Sequence, residues 1–202
     1  MKKIVVSALF VMFLVVPMSA FGAGDPMKSL QEPIDEVINL LKDPQYKDEA
    51  GKKVQREKIW EIIQQVFDFD RISKLALGKY RKKFNESQLK NFTDVFARLL
   101  EKNYLKKIQA EYKNEKVNYL DQKVKKDKAL VATEIIREKV KIPVDYLMWL
   151  NNDLWRIYDV KVEKVSLVKN YRSQFQKLLG DESKSPEEVT EQVRKKVEAQ
   201  KN

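Results

Sequence analysis

The chain has 202 residues, with 40 Lys and Arg against 30 Asp and Glu, and it contains neither histidine nor cysteine. Because these two residue types are absent, the commonest nucleophile–base pairs, nearly all zinc sites and a lipid-modified N-terminal cysteine are excluded. No glycine-rich phosphate loop is present among the five glycines. We therefore predict a protein that is not an enzyme, with no catalytic residues, no metal site and no cofactor.

Residues 1–24 have the pattern of a secretory signal peptide. Two lysines precede an apolar run from Ile4 to Met18, and small residues follow it. The run has about 15 residues, whereas a membrane-spanning helix needs about 20. Cleavage after Gly22 or after Gly24 fits the small-residue rule, and an uncleaved anchor is the alternative. We predict an exported protein in which residues 25–202 form a single lipid-binding domain, for the reasons given below.

The chain is basic, with a net charge of +10 that falls to +8 once the two lysines of the leader are removed. A basic balance is compatible with nucleic acid, which an exported protein rarely meets. Anionic lipid headgroups or an acidic partner surface match the charge better. A basic surface that only keeps the protein soluble is the alternative. We predict no nucleic-acid binding.

The first part of the mature chain has apolar residues at spacings of three and four, which predict helices. One helix covers 25–42, a second runs from about 52 to 67, and a short third covers 71–77. The fourth, from about 86 to 112, is the longest, at roughly 40 Å. Its apolar stripe includes Phe92, Phe96, Leu99, Tyr104 and Ile108. Such a stripe usually packs in a protein core, and the alternative is that it lines a ligand cavity.

Asp68 and Asp70 stand close together in the segment FDFD. Two neighbouring carboxylates could form the acid pair of a hydrolase. A capping role at the start of the short helix that follows explains them better.

After Tyr112 the apolar period changes from 3.6 to 2, which indicates strands. Four strands are predicted, near 117–124, at 129–137, at 142–150 and from residue 154, and short polar turns join them into an antiparallel meander. One face of the third strand carries Ile142, Val144, Tyr146, Met148 and Leu150.

We therefore predict an α+β fold in which a four-stranded curved antiparallel sheet packs against several helices. The gap between helices and sheet in such a roll is a natural site for a cavity. The chain then returns to helix over 170–179. A last helix within 185–202 has only three valines on its apolar side, so we expect it to be peripheral and weakly docked.

Two C-terminal segments, WRIYDV and VSLVKNYRSQF, resemble the signature of the MlaC family, periplasmic phospholipid carriers also called toluene-tolerance auxiliary proteins of ABC transporters. The segments FDFDRISKLALGKY and ESQLKNFTDVFARLLEKNY are similar to the family's helical segments. The chain departs from the family pattern at Tyr80, where many members have tryptophan. It also departs at Lys164, where glycine commonly precedes VS, and this puts the geometry of that turn in doubt.

The resemblance implies a nuclear-transport-factor-like roll that holds acyl chains between sheet and helices, with the headgroup near solvent. It implies a soluble, monomeric periplasmic carrier that shuttles glycerophospholipid between an outer-membrane lipoprotein complex and an inner-membrane ABC transporter of the MCE type. Contacts with membranes would be transient, and the transport would serve the lipid asymmetry of the outer membrane. Two other functions stay open: a periplasmic chaperone or adaptor that binds apolar peptide segments, and a small lipid hydrolase.

The candidate lipid-binding residues come from two sources. The apolar pattern selects Phe67, Phe69, Phe92, Phe96, Leu99, Val144, Tyr146, Met148, Trp155, Ile157 and Tyr158. The family resemblance points to Tyr104, Tyr146, Trp155, Tyr158, Val168, Tyr171 and Arg172. Arg172 is the candidate for a phosphate contact, and an ion pair with a nearby carboxylate is the alternative for it.

Overall fold

The structure is a computed structural model that describes residues 24–180 and 184–199, so the predicted signal peptide up to residue 23 lies outside the described residues. The described helices are α1 (Pro26–Lys42), α2 (Glu49–Val66), α3 (Phe69–Leu77), α4 (Glu86–Glu111), α5 (Leu167–Leu179) and α6 (Pro186–Ala199). The strands are β1 (Lys116–Lys125), β2 (Lys128–Arg137), β3 (Val140–Asn151), β4 (Leu154–Val162) and β5 (Val165–Ser166). In this part of the chain, no helix has the length and apolar character that a membrane span requires.

Side-chain caps set where the helices begin. Asp68 accepts a hydrogen bond from the backbone N–H of Arg71 at 2.8 Å, so the capping role predicted for this aspartate is confirmed. Asn85 and Gln88 form a reciprocal capping box at the start of α4. Helix α5 begins three residues before the predicted start because Ser166, the last residue of β5, caps it.

The sheet is antiparallel throughout, in the order β1-β2-β3-β4-β5. The predicted α+β class and the meander are confirmed, but the sheet has five strands and the prediction of four was wrong. The fifth strand has only two residues, too few to show an alternating pattern. Its turn uses Glu163 and Lys164 at φ of 49° and 70°, a conformation that favours glycine. The turn therefore forms although Lys164 stands where glycine is common in the family.

The core is divided into two clusters. The sheet cluster has Leu30 of α1 packed on Ala129, Val131, Met148, Trp155 and Ile157. The helical cluster joins α3, α4, α5 and α6. Phe67, which precedes α3, packs against both clusters and forms a single parallel bridge with Ile157. The other end of the sheet lies outside both clusters, although Thr133 and Val144 are buried there.

Helix α6 is more firmly packed than its sequence suggests. Val189 and Val193 are fully buried, and with Val197 they belong to the helical cluster, where α6 packs along α4. The Lys102 ammonium adds a hydrogen bond to the carbonyl of Val197 at 3.1 Å. The expectation of weak docking was wrong, because a narrow valine stripe is sufficient when a second helix covers its whole width.

Candidate functional site

The last two turns of α4 approach the end of the sheet where β2 turns into β3. At one side, Tyr104 lies against Tyr171 of α5. At the other side, Arg137 at the end of β2 approaches Glu111 at 3.8 Å and Glu115 at 2.7 Å. The helix covers about 12 Å between Tyr104 and the start of the following loop, close to the roughly 14 Å width of four strands. The end of helix α4 is therefore long enough to reach from β1 to β4.

The strands present apolar side chains beneath this part of α4. Direct cross-strand pairing aligns Val117 with Ile135 and Ile135 with Ile142, and in the next row Val144 pairs with Val162. Ile135 and Ile142 lie an even number of residues from Val131 and Met148 of the sheet cluster, so they face the helices. This apolar end row consists of Val117, Ile135, Ile142, Val144 and Val162.

The surface between α4 and the apolar end row is only partly covered. Val144 is buried, whereas Val117, Ile135 and Ile142 are half-buried. Tyr104 and Ile108 are 40% and 42% exposed, and Val162 is 45% exposed. Side chains that sealed a helix onto a sheet would be buried. We call this partly exposed surface, made of the apolar end row with Tyr104 and Ile108, the apolar groove.

Helix α1 borders the same region. Its Asp35 accepts a hydrogen bond from the Tyr119 hydroxyl of β1 at 3.5 Å. One turn further on, Ile38 and Leu41 are only half-buried although they lie on the apolar stripe of α1. The Gln55 side chain of α2 bonds the carbonyl of Leu40 at 2.6 Å and thereby holds the end of α1 in place. The apolar groove thus has a second apolar wall.

Several predicted site residues lie instead inside the packed clusters. Phe92 and Phe96 are fully buried, and the Phe96 ring centroid is 4.9 Å from that of Tyr171 and 5.0 Å from that of Phe175. Leu99 and Val168 belong to the same cluster. In the sheet cluster, Met148, Trp155 and Ile157 pack on α1. Lipid contact at these residues stays a prediction.

The aromatic residues around the start of α3 join the clusters. Phe67 and Phe69 stack with ring centroids 6.0 Å apart, and Trp60 lies 5.3 Å from Phe69. All three rings are half-buried. Phe67 contacts both clusters, and Phe69 contacts the helical cluster.

Arg172 and Tyr158 lie at the other end of the sheet. Arg172 Nε donates to the carbonyl of Leu75 at 2.7 Å, so this nitrogen is bonded to a backbone oxygen. Tyr158 is the extra residue of a β-bulge in β4, and its ring centroid is 5.2 Å from the Arg71 guanidinium. Arg172 directly follows Tyr171, which lies against Tyr104, but its bond to Leu75 directs it toward α3.

Comparison with known proteins gives a family. The chain matches the MlaC protein family over residues 31–195. The chain belongs to the MlaC family. A similar solved structure is that of the phospholipid-binding protein from Ralstonia solanacearum in complex with a phospholipid, with a TM-score of 0.76 and 18% identity over 89% of this chain and 100% of that chain. At this identity the likeness shows a shared fold, and no curated protein matches the chain.

Burial favours the neutral form of three phenols in this MlaC family member. Burial raises the pKa of Tyr146, which faces the helices, to about 12. Burial also raises the pKa of Tyr119 and of Tyr171. Protonated phenols can donate hydrogen bonds but do not act as bases. Among residues 24–180 and 184–199, no cluster of acidic side chains is placed to hold a metal ion.

The groove residues missed as candidates are Ile108, Val117, Ile135, Ile142 and Val162. Each was visible as an apolar residue at the correct helical or strand period. These residues all lie near the ends of four strands and of one long helix. This shared position was the signal that could have selected them. Tyr104 and Val144 are the candidates that the fold brings to the groove.

Proposed function

We propose that this MlaC family protein is a periplasmic carrier that holds the acyl chains of a glycerophospholipid in the apolar groove. The main supporting observation is that the end of α4 lies near an apolar sheet end, next to Arg137 of β2, while Tyr104 and Ile108 stay exposed. A related fold crystallised with a phospholipid supports the same ligand class. The family membership agrees with a binding or transport role and not with catalysis.

The energetic need for such a carrier is large. Each methylene moved out of water is worth about 0.8 kcal/mol, so about thirty methylenes in two acyl chains amount to roughly 24 kcal/mol. An apolar groove that replaces the bilayer removes most of this barrier without a covalent step. Binding must then be close to bilayer affinity, so that the lipid can both enter and leave.

Lysines surround the groove and suit a phosphate headgroup left near solvent. Lys106 and Lys107 are exposed on α4, and Lys139 and Lys164 are exposed in the turns at the same end of the sheet. Lys141 is held by Glu134 at 3.1 Å. A positive rim attracts anionic lipid surfaces through long-range forces, which fits transient contact with membranes.

The wider role is the one that the family resemblance implies. The N-terminal segment would export the protein to the periplasm as a monomer. There it would take lipid to or from an outer-membrane lipoprotein complex and exchange it with an inner-membrane ABC transporter of the MCE type. No catalytic residue takes part in this exchange.

The test is the ligand that the protein carries when it is purified from cell envelopes without detergent. Solvent extraction and mass spectrometry should find two-chain phospholipid in near-stoichiometric amount. Bound peptide in place of lipid would favour the chaperone or adaptor. Conversion of added phospholipid to lysolipid would favour the hydrolase, whereas unchanged lipid after long incubation would exclude it.

A further inference from the structure

A second concave site lies between α3, the end of β3 and α5, away from the apolar groove. Its volume is about 560 Å³. Four cationic side chains and two carboxylates line it: Arg71, Lys74, Arg81, Arg172, Asp68 and Asp70. We call it the cationic pocket.

The two carboxylates offset only part of the positive charge of the cationic pocket. Both oxygens of Asp68 are occupied, one by the backbone N–H of Arg71 at 2.8 Å and the other by Trp149 Nε1 at 2.9 Å. Asp70 is exposed in the first turn of α3. In the described part of the chain, none of the four cations has a carboxylate within 4.0 Å. The site therefore has an excess of unpaired positive charge.

Arg71 is oriented by an aromatic ring. Its guanidinium lies 3.8 Å from the centroid of Trp149, whose indole is itself fixed by Asp68. A stacked guanidinium keeps its N–H groups at the edge of the plane, where they are free to bind an anion in two places. Arg71 Nε is buried and has no hydrogen-bond partner. Buried side-chain donors are rarely left without an acceptor.

Arg172 is oriented by the backbone. Its Nε donates to the carbonyl of Leu75 at 2.7 Å. Its stem passes Gly78, where a Cβ would stand 3.6 Å from Arg172 Cδ. The terminal nitrogens have no partner among the described residues, so this side chain also offers a fixed donor edge.

The cationic pocket is separate from the apolar groove. Trp149 is seven residues along β3 from Ile142, a distance of roughly 23 Å. Trp149 also follows Met148 directly and therefore points to the opposite face of the sheet. The filled sheet cluster lies between the two sites. Trp149 therefore lies at a different end and on a different face of the sheet from the apolar end row.

We propose that the cationic pocket binds a phosphate-bearing group through the donor edges of Arg71 and Arg172, with Lys74 and Arg81 adding attraction. Planar paired donors match the oxygens of a phosphate ester. The ester can come from a soluble molecule or from the headgroup of a phospholipid in a membrane surface. This inference does not depend on lipid binding in the groove.

The experiment follows the indole N–H signal of Trp149 by NMR, which Trp149→Phe identifies among the three tryptophans. The first probe is sn-glycerol 3-phosphate, and the second is vesicles containing phosphatidylglycerol, measured by co-sedimentation. Arg71→Gln is compared with Lys82→Gln, since both remove one positive charge and Lys82 is exposed outside the pocket. Arg71→Lys keeps the charge and loses the paired donors. Melting temperatures verify that each variant is folded.

Glycerol phosphate should shift the Trp149 signal. A binding affinity at least ten-fold weaker in Arg71→Gln and Arg71→Lys, but within two-fold of the wild type in Lys82→Gln, supports a soluble ester. Binding to the vesicles alone with the same variant pattern supports a lipid headgroup. Equal weakening in Arg71→Gln and Lys82→Gln, no binding of either probe, or binding of a poly-glutamate peptide alone overturns the proposal. Arg71→Gln should keep wild-type lipid content, so the outcome is distinct from that of the groove.

Discussion

The Glu115 carboxylate accepts a hydrogen bond from Arg137 Nε at 2.7 Å and another from the backbone N–H of Lys113 at 2.7 Å. The Glu115 side chain is almost fully buried. These bonds tie the loop after α4 to the end of β2. They therefore hold the last turns of α4 over the apolar end row.

The first prediction concerns acid stability. Burial opposes the charged form of Glu115, but the hydrogen bonds from Lys113, from its own backbone and from Arg137 outweigh it and lower its pKa below 4.5. A lowered folded-state pKa contributes stability above the unfolded pKa, which is lost as the pH falls through the folded value. Glu115→Gln should reduce the free energy of unfolding by about 1–3 kcal/mol at neutral pH. Urea unfolding should show this difference shrinking in acid, and a constant difference would contradict the assignment.

The second prediction tests the apolar groove. Ile108→Glu places a charge where acyl chains would lie and should lower lipid occupancy at least ten-fold, equivalent to about 1.4 kcal/mol. The melting temperature should change little because Ile108 is already 42% exposed. Leu120→Glu is the matched control, since Leu120 is 59% exposed in β1 outside the groove. Equal lipid content in the two variants would remove Ile108 from the binding site.

The third prediction is the contrasting result at a fully buried ring. Phe96 is selected by sequence as a lipid contact, yet it has no exposed surface in the helical cluster. Phe96→Glu should lower the free energy of unfolding by about 4 kcal/mol or more, because it buries an unpaired charge. Calorimetry should record this loss. Retention of the wild-type melting temperature with loss of lipid would instead show that the ring contacts the ligand.

The fourth prediction concerns α6. Val193 is fully buried against the helical cluster, so Val193→Ala should cost about 1–3 kcal/mol of stability. Val54→Ala, at a 44% exposed site on α2, is the control and should cost under about 0.5 kcal/mol. Denaturant unfolding measures both. A neutral Val193→Ala would mean that α6 is only loosely attached.

The sequence by itself determined the kind and order of the elements. Helical and strand periods differ, so the change after Tyr112 separates the helices from the meander, and the motif WRIYDV pointed to the family before any contact was known. Local chemistry also placed the cap at Asp68 correctly. The two-residue strand at Val165 could not be predicted, because an alternating apolar pattern is visible only over several residues.

Only the tertiary structure decided which apolar faces meet. Phe96 and Ile108 belong to one stripe of α4, but Phe96 is buried among α3, α5 and α6, whereas Ile108 is 42% exposed near the end of the helix. Trp149 and Arg71 are far apart in sequence, yet the Arg71 guanidinium stacks on the Trp149 ring. Periodicity fixes which side of an element is apolar, while the partner that covers it depends on contacts between distant segments. The sequence pattern therefore indicated a surplus of apolar side chains large enough to bind a lipid, and the tertiary structure showed which of these side chains stay exposed.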